Sequence, residues 1–275
     1  MDESESATII PKMWRNYMKS FIDKYGPWAL VTGASSGIGE QFALQLAERG
    51  LHVVMAARRK ERLDTLASQI RELHGVDTRT ISVDLSHENF MATLLPEIEG
   101  LDVGLLVNNA GFATTGPFIN NDLEKEISQV NLNVRTVAVL CHIFGNKLAA
   151  RGCGGIINVS SLTSFLPMPG WANYSASKVY VLHYTMSLWH ELKPLGVDVL
   201  ALCPGATRTE FQNVAGTRST GMRPDKVARL ALNTLGKKPM VVAGLSNKIT
   251  SFLPRFFSKS MATRAGAMVV KALQK

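Results

Sequence analysis

Cysteine is scarce in this chain, with Cys141, Cys153 and Cys203 the three present in 275 residues. Their spacing matches no metal-ligand pattern, and an odd number leaves one thiol without a disulfide partner. Neither a disulfide framework nor a metal is expected, and a reducing compartment is. Missing too is any apolar run long enough to cross a bilayer. The opening Met1-Asp2-Glu3-Ser4-Glu5 is acidic and no signal-peptide core follows it, which predicts a cytoplasmic protein. Internal repeats and low-complexity linkers are absent, and 46% hydrophobic content is enough for a full core, so one main domain is expected. Acidic residues stop at Asp225, whereas ten lysines and arginines follow; against an overall charge of +8, the rest of the chain sums to −2. Such a basic end suits an anionic membrane surface or an acidic ligand such as an acyl thioester of coenzyme A; the plainer alternative is a solvated face. Nothing beyond this tail points to nucleic acid, and none is expected as a partner.

What is present is an alternation. Apolar runs at 28–32, 52–56, 79–83, 103–107, 155–160, 197–203 and 239–242 read as strands. Between them, 37–49, 60–73, 87–98, 122–150, 173–194 and 224–235 read as helices. Short, continuously apolar strands in a βαβ rhythm predict an α/β fold: a single Rossmann-type, doubly wound parallel sheet of about seven strands with helices on both faces. Residues 27–243 form that domain. Residues 1–26 are an N-terminal extension, in which Ile10, Met13, Trp14, Tyr17, Met18, Phe21 and Ile22 recur at helical spacing. Residues 244–275 form a basic amphipathic extension in which Ile249, Phe252, Leu253, Phe256, Phe257, Met261, Met268, Val269 and Leu273 alternate with Lys and Arg. Each extension reads as a helix docked on the core, or else as a membrane-surface or subunit contact.

Thr32-Gly33-Ala34-Ser35-Ser36-Gly37-Ile38-Gly39 joins the first strand to the first helix of the rhythm. Glycines there let a backbone approach a pyrophosphate, and the amides and dipole of the helix favour its charge. Gly33, Ser35, Ser36, Gly37, Ile38 and Gly39 are therefore candidate cofactor contacts. The second strand ends in Ala57-Arg58-Arg59, where an acid would bind the 2′-hydroxyl of NAD. Instead Arg58 and Arg59 offer forks for a 2′-phosphate, which favours NADP(H); Arg59 is the more readily explained as the start of a solvated helix. The same turn also fits G-x-S-x-G, a hydrolase nucleophile elbow. That reading lacks preceding strands and a late histidine, the last being His190 within a helix.

Tyr174 and Lys178 stand four apart on a predicted helix and share a face. A phenol becomes useful in proton transfer near neutrality when a neighbouring cation favours its phenolate. These motifs, with Asp84-Leu85, Asn108-Asn109-Ala110-Gly111, Ser160-Ser161 and Pro204-Gly205-Ala206-Thr207-Arg208-Thr209 in the same order, resemble the classical short-chain dehydrogenases/reductases from about Gly26 to Val242.

The resemblance implies an oxidoreductase. Tyr174 is then the acid/base, Ser161 polarises the carbonyl, and Lys178 holds the nicotinamide ribose and lowers the Tyr174 pKa. Asn131 holds a relay water, with Asn133 two residues on as the rival. Asp84 and Leu85 meet the adenine, and Asn109, Ala110 and Gly111 the adenosine ribose. Pro204, Gly205, Thr207 and Thr209 fix the carboxamide. The loop after Ser161 and the segment after Thr209 supply substrate contacts, here the apolar Phe165, Trp171 and Phe211, so a lipid-like carbonyl is expected. Tyr25-Gly26-Pro27-Trp28 and Leu106-Val107-Asn108 look most like the branch of long-chain 3-oxoacyl-CoA reductases and 17β-hydroxysteroid dehydrogenases. Assembly into a dimer or tetramer through 122–150 and 173–194 is implied as well. A catalytically silent NADP(H)-binding scaffold is the alternative, although such proteins usually lose the Ser, Tyr or Lys that this chain keeps.

Overall fold

The computed structural model describes residues 12–215 and 221–273, with side chains for 18–212, 215 and 221–272. Seven strands, β1 (Trp28–Thr32), β2 (His52–Ala57), β3 (Thr78–Ser82), β4 (Val103–Asn108), β5 (Gly154–Val159), β6 (Val197–Cys203) and β7 (Met240–Val242), lie within one residue of the predicted bounds. They pair in parallel in the order β3-β2-β1-β4-β5-β6-β7. Every residue of β4 and β5 is buried, whereas edge strand β3 buries Ile81 and leaves Arg79 exposed. That difference follows from covering a parallel sheet on both faces.

Helices α2 (Gly37–Glu48) and α3 (Lys60–His74) lie on one face and bury Phe42, Leu46, Leu63 and Ile70. On the other, α4 (Phe90–Glu97) buries Leu94. The expected helix at 122–150 is instead three pieces. A helix α5 (Leu123–Val130), whose first turn is capped by Asp122 Oδ1 accepting from Lys125 N at 2.9 Å, runs into a π-helical turn, Asn131–Arg135. Then comes α6 (Thr136–Arg151). The other long helix is α7 (Ala172–Leu192), and α8 (Glu210–Val214) and α9 (Pro224–Thr234) follow. Strand order reverses between β1 and β4, which opens a crevice at their C-terminal ends, where open α/β sheets hold ligands.

Both extensions fold onto this core. In α1 (Lys12–Tyr25), Phe21 and Tyr25 are buried against the sheet, and Tyr25 Oη donates to Asp198 Oδ2 at 2.5 Å. Ile10 and the side chains of Met13, Trp14, Tyr17 and Leu273 lie outside the described residues. The basic extension is broken by a turn at Leu253–Phe256, where Pro254 sits, into α10 (Leu245–Phe252) and α11 (Lys259–Leu273). No helix among the described residues is long and apolar enough to cross a membrane.

Candidate active site

The glycine-rich turn is a cradle that side chains would fill. Gly33 and Gly37 adopt φ of +66° and +63°, a region L-residues rarely enter. A Cβ on Gly39 would sit 2.3 Å from the Gly33 carbonyl oxygen, and one on Gly37 would meet Thr209 Cγ2 at 2.8 Å. Ser36 precedes α2 without capping it, so the first amides of Gly37, Ile38 and Gly39 remain available to an anion. Asn109 is occupied differently from expectation: its Nδ2 donates to the carbonyls of Thr32 (2.9 Å) and Gly33 (3.2 Å). Thr32 Oγ1 in turn accepts from the amides of Asn109 and Ala110. The Asn109 side chain thereby locks β1's exit to β4's, leaving backbone to face the crevice.

Arg58 and Arg59 diverge. Arg58 is largely exposed and lies 3.9 Å from Asp84 Oδ2. Burial pushes the Asp84 carboxyl up, yet hydrogen bonds from Ser86 and the charge of Arg58 outweigh it and hold the group below its ordinary range. Arg59 turns into the glycine-rich turn, donating to Ser35 Oγ at 3.0 Å and Ser36 Oγ at 2.9 Å, and so does more than start a solvated helix. Both arginines therefore flank the corner between Asp84 and the turn. Leu85, next to Asp84, is buried, its carbonyl accepting from Thr136 Oγ1 at 2.5 Å. The left-handed glycines and the amides at the start of α2 suit the pyrophosphate of a nicotinamide dinucleotide.

At the other end of the crevice, Ser161, Tyr174 and Lys178 converge, all buried. Ser161 follows β5, and its Oγ accepts from Thr163 N at 3.1 Å, so its own proton is left to donate. Tyr174 is hydrogen-bonded to Ser161, and burial pushes its phenol up to about 12. Lys178 Nζ lies 5.7 Å from the Tyr174 ring centroid and donates to Val159 O at 2.9 Å. Burial draws Lys178 down to about 8, with nearby Cys203 opposing. The expectation that Lys178 lowers the Tyr174 pKa is therefore not met in the chain alone. Desolvation outweighs a cation that faces a carbonyl, and the phenol stays neutral.

The two asparagines separate cleanly. Asn133 is fully buried, its Nδ2 donating to Phe112 O (3.0 Å) and Ser177 Oγ (3.1 Å) while its Oδ1 accepts from Phe112 N. Asn131 opens the π-helical turn, is half-buried, and has its carbonyl bonded by Thr136 Oγ1 at 3.0 Å. Asn133 braces the loop at Phe112 against α7. Gly111 lies between Asn133 and the lysine: a Cβ there would meet Asn133 Oδ1 at 3.0 Å and Lys178 Nζ at 3.4 Å.

Beyond β6, Pro204 O accepts from Leu162 N at 2.7 Å, and Thr207 pairs with Met222. Gly205 faces Asn247 of α10 so closely that a Cβ would lie 2.3 Å from its Nδ2. Thr209 Oγ1 donates to Thr207 O. Trp171 and Phe211 ring Tyr174 at centroid distances of 5.6 and 5.5 Å. Phe165 does not join them; it packs with Leu162, Leu182 and Met186 in a separate cluster. Its place is taken by Met168, on the same apolar loop expected to contact substrate, and by two residues absent from the sequence-based candidates, Ala113 and, from α11, Val270. A Cβ on Gly266 of α11 would meet Pro167 O at 2.0 Å, so this helix lies directly on the loop that follows Ser161. The heptad-like mixture of apolar and basic residues in 248–273 was the one available signal, and it does not say which face docks.

Residues 27–219 match the family model for short chain dehydrogenases. The 7beta-hydroxysteroid dehydrogenase of Collinsella aerofaciens is 34% identical over 234 residues, 82% of this chain and 89% of that one. The human very-long-chain 3-oxoacyl-CoA reductase is 32% identical over 237 residues, 83% of this chain and 76% of its own. Among solved structures, a short-chain dehydrogenase from Sphingobium yanoikuyae in complex with NADPH superposes with a TM-score of 0.75 at 30% identity, covering 87% of this chain and 100% of that one. These matches sit well with the parallel sheet described above: the chain belongs to the short-chain dehydrogenase/reductase family, in the branch of hydroxysteroid dehydrogenases and long-chain 3-oxoacyl-CoA reductases.

Proposed function

We propose that this protein reduces the carbonyl of a bulky apolar substrate, a ketosteroid or a 3-oxoacyl thioester, at the expense of NADPH. The observation that carries the reading is a neutral, buried Tyr174 phenol bonded to Ser161, with Lys178 behind it and Trp171, Phe211, Met168 and Val270 around it. Arg58 and Arg59, with no acid at the end of β2, support the phosphorylated cofactor, and the similar Sphingobium yanoikuyae dehydrogenase was solved with NADPH. The nicotinamide supplies the hydride when bound. Ser161 and Tyr174 then hold the carbonyl oxygen with two hydroxyl donors, and Tyr174 gives up its proton as negative charge develops there. Lys178 and Asn131 stand behind Tyr174 to return that proton. The apolar walls exclude water and orient a large ring system or acyl chain.

The test is NADPH and NADH oxidation against ketosteroids, 3-oxoacyl-CoAs and simple aromatic ketones. Turnover with one of the first two classes, preferring NADPH, is the expected result. Tyr174→Phe should lower kcat by at least about a hundredfold, in line with loss of a positioned proton donor, while leaving NADPH binding intact. Retained turnover in that variant removes the acid assignment. Tight NADPH binding with no carbonyl reduced would favour the silent scaffold.

A further inference from the structure

Glu210 has no part in the proton transfer above, yet it sits at the cofactor corner. It opens α8 directly after Thr209 and reaches across to the start of α3. Its Oε2 accepts from Arg59 Nη1 at 2.7 Å, and its Oε1 accepts from Arg62 Nη1. The same Arg59 donates from Nε and Nη2 to Ser35 Oγ, and from Nη2 to Ser36 Oγ. The guanidinium is thus ringed by oxygens, two hydroxyls and a carboxylate, in the manner of a bound phosphate. Hydrogen bonds from Arg62 and then Arg59 pull the Glu210 carboxyl down to about 2, so it is ionised throughout the neutral range.

We propose that Glu210 is a built-in competitor for the 2′-phosphate of the dinucleotide and so sets how strongly this chain prefers NADPH to NADH. The inference rests on the NADPH reading given above. A 2′-phosphate reaching Arg59 meets a guanidinium already neutralised by a carboxylate, and the two anions repel. It binds fully when Glu210 lets go of Arg59 and Arg62. A 2′-hydroxyl is uncharged and requires no such exchange. Arg59, Arg62 and Glu210 are all 41% exposed or more, and ion pairs in that setting are weak. The effect is therefore a bias of affinity and not a block. Glu210 follows the Thr209 segment expected at the nicotinamide, so releasing it also frees α8 from α3.

The experiment is calorimetric titration of the full chain with adenosine 2′,5′-bisphosphate and with 5′-AMP, for wild type and Glu210→Gln. The two ligands differ only in the 2′-phosphate, and neither requires turnover. The expected result is a roughly threefold to tenfold tighter bisphosphate in Glu210→Gln, with 5′-AMP unchanged and the gain shrinking at high salt. A wild type that prefers the bisphosphate, with an unchanged ratio in the variant, overturns the role of Glu210 and leaves the NADPH reading standing. A ratio near one in both proteins overturns both. Weaker bisphosphate binding in the variant makes Glu210 part of the cradle and also sinks the proposal.

Discussion

Tyr174 and Lys178 are held away from their ordinary ionisation by the same cause, burial, and this bears on the direction of catalysis. A phenol pushed up to about 12 is protonated at rest and ready to donate. To act as a base in the reverse direction it must first lose that proton against desolvation, with help from the positive charge of an oxidised nicotinamide. With Tyr174 in the role proposed above, reduction is the direction served by the resting state. Lys178 carries a consequence for stability. Its folded value of about 8 lies below the ordinary 10.5, so between those pH values the unfolded chain binds more protons and wild-type stability rises with pH. That contribution is complete above pH 10.5 and is lost as pH falls through 8. Cys141, Cys203 and Tyr174, each pushed up to about 12 by burial, work in the opposite sense at high pH. They remain in Lys178→Met and largely cancel in the difference. Urea unfolding should find Lys178→Met more stable than wild type at pH 7, with the gap closing by on the order of 3 kcal/mol toward pH 10.5. A gap that does not change with pH means that burying this ammonium costs nothing.

Elements with a clear period were legible in the sequence, and elements shaped by particular side chains were not. The strands came out within a residue because a parallel strand buried on both faces is a short apolar run and little else. The long helix over 122–150 was unreadable as three pieces: Asn133 turned inward to Phe112 and Ser177, and Thr136 bonding Asn131 O, create the π-helical turn without disturbing the apolar spacing. Ser161, Tyr174, Lys178 and the glycine cradle were visible as motifs, because chemistry fixes residue type at those positions. Val270 and Glu210 were not, since they reach the site through tertiary packing and no local pattern marks them. Helix α11 is the element with most to gain from testing. Val270 is its buried contact beside Tyr174 and Trp171, and Val270→Asp would place a lone carboxylate there. Undocking of α11 should raise KM for a bulky ketone roughly tenfold while leaving NADPH affinity unchanged. Hydrogen exchange over residues 259–273 should quicken in parallel. Unaltered KM and exchange would remove α11 from the substrate wall.

At the scale of the molecule, the C-terminal extension combines exposed apolar residues with basic ones. Ile249, Phe252, Leu253, Phe256, Phe257 and Met268 are all about half exposed or more, and Lys248, Arg255, Lys259, Arg264 and Lys271 lie among them with no acid nearby in sequence. Exposed apolar side chains interleaved with basic ones are what a peripheral contact with anionic lipid uses. Phe252→Ser with Phe256→Ser, both exposed and so tolerable to the fold, should reduce co-sedimentation with phosphatidylglycerol vesicles several-fold. Undiminished binding would return the face to solvent or to a subunit contact. A second apolar patch on α5 and α7, with Leu123, Ile127, Val179 and Tyr180 exposed, suits the expected homo-oligomer. The parallel sheet also gives the two extensions unequal positions. Helix α1 feeds directly into β1 and packs by Tyr25 against Gly155, at the strand starts, whereas α11 packs at the strand ends, against Pro167 and the Tyr174 cluster. A purification handle or fluorescent fusion joined ahead of α1 therefore pulls on contacts that lie a strand length, about 17 Å, from the Tyr174 cluster. The same fusion behind α11 would tug on the helix that packs against the Tyr174 cluster, and assays on such a protein would measure the handle as well as the enzyme.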